Sequence, residues 1–298
     1  MAAPVAFATV DDSGLTPDPE GPPPPRPGRR LRKALIGLGL ALLVLFVAAL
    51  LWFVVGRDQA RQLGDTEALK DFRASAVAPA TGEGTASDPA GRPAAGVYAA
   101  TASGNESIGL PGFDESLGPN SPVTVTFADG GCYDYRVDFN SHHWRSWTYC
   151  PTDTATFAIA EMKSWTARKA PGLNIATLST YTCERPLDFL WPEAAVGDIR
   201  TGTCTGTSDM DDSVTIDAAS IEVLALTSRS VNGTRVNVVH VRTTESLSGD
   251  QTGSEIDEWW LDADTGLPVK VEIDAKVNGA SEYSVTADLE LSNLTPAT

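Results

Sequence analysis

The residue types able to carry chemistry are few and widely spaced. Four cysteines, Cys132, Cys150, Cys183 and Cys204, stand among 298 residues. No two of them have the short C-x₂₋₄-C spacing of a zinc site, so disulfide formation is the chemistry expected of them, with three pairings open to four cysteines. His142 and His143 are neighbours beside Asp138 and Trp144. Consecutive strand residues point to opposite faces, so both could hold one ion only within a turn, and no third ligand accompanies them; a pair of turn residues is expected. His240 lies in a valine-rich stretch and reads as a half-buried, hydrogen-bonded side chain. Asp262-x-Asp264-x-Gly266 opens like a calcium loop, but Ile273 occupies the position where such a loop needs a bidentate glutamate. A hairpin turn accounts for the same residues. Asp209, Asp211 and Asp212 read as a solvated acidic loop. The chain has no G-x-S-x-G elbow, Walker loop, H-E-x-x-H pair or glycine fingerprint. No catalytic residue, metal ligand or cofactor is assigned.

Aromatic side chains are the remaining candidates. Trp259 and Trp260 are consecutive within a strand-like run, so one must face the interior and the other must lie in a cavity, under a helix or exposed. With Trp147 and Tyr135 they form the candidate lining of an apolar cavity. Ordinary core packing is the more common use of such residues.

The elements that would position these residues are strands. Val123, Val125 and Phe127 alternate with threonines. Tyr133, Tyr135, Val137 and Phe139 alternate with polar residues, as do Val269, Val271, Ile273 and Ala275, then Tyr283, Val285, Ala287 and Leu289. One dry face and one wet face argue for an antiparallel sheet. Residues opposite one another in such a sheet share a face, which tests each hairpin. A loop of Asn140-Ser141-His142 pairs Tyr133 with Tyr149 and Tyr135 with Trp147, and it sets Cys132 opposite Cys150. Elimination then pairs Cys183 with Cys204. A loop of Val277-Asn278-Gly279 pairs Ile273 with Tyr283 and Val271 with Val285. Asn232-Gly233 marks a hairpin between Ile221–Arg229 and Arg235–Arg242. Thr154 to Trp165 suits an amphipathic helix or a strand. The class is all-β or β-rich α+β.

The strands are preceded by an uncharged run from Ala34 to Val55, with Arg26, Arg29, Arg30, Arg32 and Lys33 before it. At ~1.5 Å per residue the run crosses a bilayer core of ~30 Å. Basic residues stay on the cytoplasmic side, which places the amino terminus inside and everything past Gly56 outside. The run is too long for a cleaved signal peptide and lacks a small-x-small site, so it reads as a signal-anchor in the plasma membrane. Four segments follow: residues 1–33, a disordered Pro-rich cytoplasmic tail; residues 34–55, a transmembrane helix whose partner is the lipid bilayer; residues 56–96, a juxtamembrane segment read as continuing the helix for a few turns, then a flexible Ala/Gly/Pro/Ser/Thr tether; and residues 97–294, the extracytoplasmic β-rich domain. Five of the 22 basic and four of the 39 acidic residues precede Gly56, leaving 17 basic against 35 acidic residues outside. A domain this acidic repels nucleic acid.

The segment Glu258-Trp259-Trp260-Leu261-Asp262-Ala263-Asp264-Thr265-Gly266-Leu267-Pro268-Val269-Lys270 resembles the strand-turn-strand "W-x-D-x-x-T-G-L-P" of LolA-like lipoprotein carriers and LprG-like envelope lipoproteins. The whole chain is also similar to actinobacterial envelope proteins with a Pro-rich tail and one membrane helix. The resemblance implies a curved antiparallel sheet, a half-barrel whose concave face, covered by helices, holds acyl chains. The function expected is a non-catalytic binding or interaction module for an apolar envelope ligand or a protein partner. A structural or partner-sensing membrane protein and an unrecognised hydrolase are the other readings. Protease added to intact cells should digest the region after Arg57 and spare the tail; protection of the carboxy-terminal domain would reverse the orientation.

Overall fold

The computed structural model describes residues 28–56, 58–75, 91–110, 112–279 and 281–298. The expected Pro-rich tail up to residue 27 and the tether over residues 76–90 lie outside them. Helix α1 spans Arg29–Val55, so it starts before the uncharged run does. Its stretch Lys33–Trp52 has a mean hydropathy of 2.9 and buries nothing against protein, which makes it long and apolar enough to cross a membrane.

The helix does not continue through the following segment. Residues 58–64 are extended and lie along the β-domain, with the Asp58 amide donating to Lys169 O at 3.0 Å and the Ser141 amide to Arg61 O at 2.9 Å. Helix α2 (Asp65–Ser75) begins just after Gly64, a poor helix former, with Asp65 and Glu67 in its first turn to meet the positive end of the helix dipole. Ala68 is buried where α2 meets the strand Gly96–Tyr98, and Arg73 donates to Thr298 O at 2.6 Å. The compact unit therefore takes in α2 and extends past Leu294, where the sequence placed its edges at residues 97 and 294.

Among the described residues, fourteen strands form one antiparallel sheet. They are β1 (Gly96–Tyr98), β2 (Ala100–Ser107), β3 (Glu115–Leu117), β4 (Val123–Phe127), β5 (Tyr133–Asn140), β6 (His143–Cys150), β7 (Phe157–Ala170), β8 (Leu173–Leu190), β9 (Ile199–Ser208), β10 (Val214–Val231), β11 (Thr234–Gly249), β12 (Thr252–Asp262), β13 (Pro268–Asn278) and β14 (Glu282–Leu291). From β4 to β14 each strand pairs with the next in sequence, which is the simplest topology for an antiparallel chain. Only Ala99 separates β1 from β2, yet β1 pairs with β4 and β2 with β14. One chain segment thus touches both ends of the meander, and the sheet curls into a half-barrel. Gly104 of β2 permits this: a Cβ there would stand 1.9 Å from Thr286 O.

The expected pairings hold where side-chain patterns are strong. Tyr133 faces Tyr149, Tyr135 faces Trp147, and Val231 faces Thr234 across Asn232-Gly233, both of which have positive φ as a tight hairpin turn requires. Cys132–Cys150 and Cys183–Cys204 are disulfides. Two loops differ. The β5–β6 connection is Ser141-His142 with an irregularity at Phe139, not a three-residue loop, because Asn140 pairs with His143. In the β13–β14 hairpin, Ile273 faces Ala287 and Val271 faces Leu289, a register four residues from the expected one; the turn lies two residues further along the chain, with Asn278 opposite Glu282. The apolar faces match in either register, so alternation alone could not separate them. Thr154 to Trp165 resolves as strand, with β7 starting at Phe157 and Trp147 facing Met162.

Each disulfide links neighbouring antiparallel segments about 20 residues apart, at separations of 18 and 21. In the chain-entropy model such loops stabilise by about 3 kcal/mol each. Replacing Cys183 and Cys204 together with serine should lower unfolding stability by about that amount in chemical denaturation while the strand signature in circular dichroism persists.

Candidate functional site

Alternation inside a curled sheet stacks the inward side chains in rows around the interior. One row joins Val223, Val241, Trp259, Val271 and Leu289 on β10 to β14. All five are buried and apolar. Trp259 meets Trp147 and Phe189 edge-on, with ring centroids 4.9 and 5.4 Å away, so this end of the interior is a filled aromatic core. The next row joins Ile221, Thr243, Asp257 and Ile273, and the one beyond it Ala219, Glu245, Glu255 and Ala275. Asp217, one row further along β10, is wholly buried opposite Leu247. The interior changes from apolar to acidic at once along β12, from Trp259 to Asp257, and further on along β11 and β10, at Glu245 and Asp217.

Beyond the acidic rows the interior opens into a cavity of about 430 Å³. Ile108, Leu110, Met162, Ile175, Leu247 and Val277 supply apolar wall, while Arg145, Glu245 and Glu255 supply charge at the floor. Tyr181 and Tyr283 flank it. Tyr181 keeps its place because Gly206 lies beneath its ring, where a Cβ would come within 2.4 Å of Cε1. The volume falls in the ~300–1,000 Å³ range of small-molecule pockets, and a largely apolar wall with a few convergent polar groups is their usual composition.

The charges of the floor do not balance. Arg145 reaches Glu255 with both terminal nitrogens, at 2.5 and 3.4 Å, and among the described residues it is the cation that also acts on Glu245 and Asp257. Neither oxygen of Asp217 accepts a hydrogen bond, and Oδ1 of Asp257 is also without a partner. Burial, reinforced by the charge of Glu255, raises the Asp217 carboxyl to about 7. Burial and the same neighbouring charge push Glu245 and Asp257 well above the carboxylate range. Carboxyls this close lack donors, so they persist by holding protons.

A second set of buried charges sits across the interior and is compensated. Glu106 on β2 lies 2.7 Å from Arg168 Nη2 and 3.3 Å from His143 Nδ1. Arg168 also approaches Glu115 at 3.2 Å, Glu115 meets His142 Nδ1 at 2.8 Å, and His142 Nε2 lies 3.4 Å from Asp58. Burial would raise the Glu106 carboxyl, but His143 and Arg168 outweigh it and hold the group at about 2. This chain of charges ties the segment after α1 to β2, β3, β6 and β7.

The residues named from sequence are dispersed. Trp147 lines the cavity. Trp259 and Tyr135 do not: both are packed in the core, the Tyr135 hydroxyl donating to Pro268 O at 3.3 Å. Trp260 faces the outside of the sheet, does not line this cavity, and is roofed by stacked His240 at 4.2 Å and by Arg229 and Lys270 at 5.0 and 5.1 Å. His240 is half-buried and bonds Glu258 at 2.9 Å, as its strand setting suggests. The four cysteines serve only the two disulfides. Asp262 forms a hairpin turn, its Oδ1 accepting from the amides of Asp264 and Thr265 at 2.8 and 3.0 Å, and Gly266 leaves room for the Phe157 ring. Among the described residues no three acidic, histidine or cysteine groups converge as a metal site. The sequence reading passed over Asp217, Glu245, Glu255, Asp257 and Arg145. The signal was present in the phase of the strands: Asp217 lies in step with Ile221 and Val223, and Asp257 with Trp259 and Leu261, while Val214, Ile216 and Ile256 are left on the wet face.

No family model, curated protein or solved structure matches this chain.

The raised acids make a signed prediction. Asp217 holds a proton up to about 7 in the folded protein against an ordinary value of 3.8. Between those values the folded state binds the proton that the unfolded chain has released, so stability falls as pH rises through the window and levels off above it. Asp217→Asn should stabilise the protein by ~1–3 kcal/mol at pH 8 and by little at pH 4, measured by chemical denaturation at both.

Proposed function

We propose that the β-domain is a non-catalytic binding module that receives a small amphipathic ligand in its open cavity, displayed outside the cytoplasm by α1 as a single-pass plasma-membrane anchor with its amino terminus inside. The observation that carries this reading is the cavity itself: about 430 Å³ of open interior, walled by aliphatic side chains, in a sheet whose other end is filled. An interior that needed only stability would be packed throughout. The two disulfides suit an oxidising compartment, which supports the outward placement of the domain. The likeness of the Trp259–Lys270 segment to lipoprotein carriers points the same way, toward a ligand with an apolar body; the cavity, however, is bounded by β6 to β8 and β11 to β14 rather than by the two tryptophans of that segment.

The test is direct. Full-length protein in lipid nanodiscs should take up an octyl- or decyl-chain probe above the partitioning into protein-free discs. Ile175→Arg, at the half-buried wall, should weaken that uptake by tenfold or more with an unchanged melting temperature. A wild-type protein that binds no more probe than empty discs would sink the proposal.

A further inference from the structure

We infer that the ligand of this cavity carries an organic cation, a primary or secondary ammonium on an apolar body, and that its head is received by the carboxyls at the cavity floor. The inference rests on the binding reading above and adds to it the charge of the ligand. Glu245 and Glu255 line the cavity, Asp217 and Asp257 are buried behind them, and Glu255 already occupies the fork of Arg145. Asp217 is completely buried, its two oxygens accept no hydrogen bond, and it stands opposite the cavity-lining Leu247 beside Glu245. Buried acceptors in excess of donors, next to open space, call for a donor brought from outside. A bare metal ion does not fit, since among the described residues no three such groups converge on one point. An ammonium offers separate N–H donors to spaced carboxylates, and its apolar body matches Ile108, Met162, Leu247 and Val277 above the floor.

The other charged and titratable groups around the floor leave this balance in place. Lys163 on β7 is taken by Glu161, and Arg168 by Glu106 and Glu115. Asp211, from the β9–β10 connection, adds a further negative charge at the wall and bonds the Ser213 amide. Tyr181 on β8 and Tyr283 on β14 are held neutral by burial, which raises both phenols. With the floor empty, burial raises the Asp217, Glu245 and Asp257 carboxyls, Asp217 to about 7. Entry of an ammonium favours the ionised carboxyls and therefore expels protons, so affinity rises with pH below about 7.

Octylamine, octanol and octanoate share one chain and differ in the head. Titrated into the full chain in nanodiscs, with protein-free discs subtracted, octylamine should bind at least ten times more tightly than octanoate at pH 8. Its affinity should fall roughly tenfold per pH unit from 7 to 5, as release of one proton requires. Glu245→Gln and Asp217→Asn should each reduce the ratio of octylamine to octanol affinity by fivefold or more, and melting curves report whether each variant is folded. Octanoate binding as tightly as octylamine, or an amine preference indifferent to both substitutions, would overturn the ammonium while leaving the cavity reading intact. Failure of all three compounds to bind would remove both.

Discussion

Every strand of this domain obeys the same constraint: a residue that faces inward at one position commits its second neighbours to face inward as well. In an open sheet with one wet face the rule is easily satisfied. In a sheet curled on itself it decides what occupies a closed volume, and no residue can escape inward placement without a bulge. The long strands β10, β11 and β12 carry their phase from the aromatic core at Val223, Val241 and Trp259 to the acids at Asp217, Glu245 and Glu255 with no interruption on β11 or β12 over that stretch. Placing carboxyls inside a β-domain costs several kcal/mol unless they are paired or protonated. That the phase is kept across this zone, with isoleucines left on the solvent side, makes the acids part of the interior by construction.

The two buried charge systems divide the labour differently. Around Arg168 each acid finds a base, and the network joins segments far apart in sequence, from Asp58 to Arg168. Its charges are paired, so its effect is positional: it fixes the β5–β6 turn and the chain that follows α1 against the body of the sheet. Around Arg145 the acids outnumber the bases and border open space. In the one system each acid has a base beside it; in the other it does not.

Much of the architecture was legible because strong patterns sit on it. Aromatic and β-branched alternation gave the class, the antiparallel order and the pairing of Tyr133 with Tyr149, and from that pairing both disulfides followed. The β13–β14 register was not legible, since any shift by an even number keeps apolar against apolar, and only the connection between Asn278 and Glu282 selects among them. The site was hidden for a related reason. Polarity read residue by residue puts Ile216 and Ile256 inside and Asp217 and Asp257 outside, whereas phase carried back from Ile221 and Trp259 puts them the other way. The tryptophan pair misdirected the search too: one ring completes the core and the other lies on the outer face under His240, Arg229 and Lys270.

The segment around Ala99 belongs to both ends of the sheet, with β1 on β4 and β2 on β14, and Val97 also bridges Ala297. Almost the whole domain lies between those partners in sequence. During synthesis, then, the ribosome must deliver residues 282–297 before the ladder can close, and until that moment β2 lacks the neighbour that covers it. Such a topology makes folding late and non-local. The last strand to be made is therefore the one that completes the sheet, and no earlier part of the chain can close it in its place.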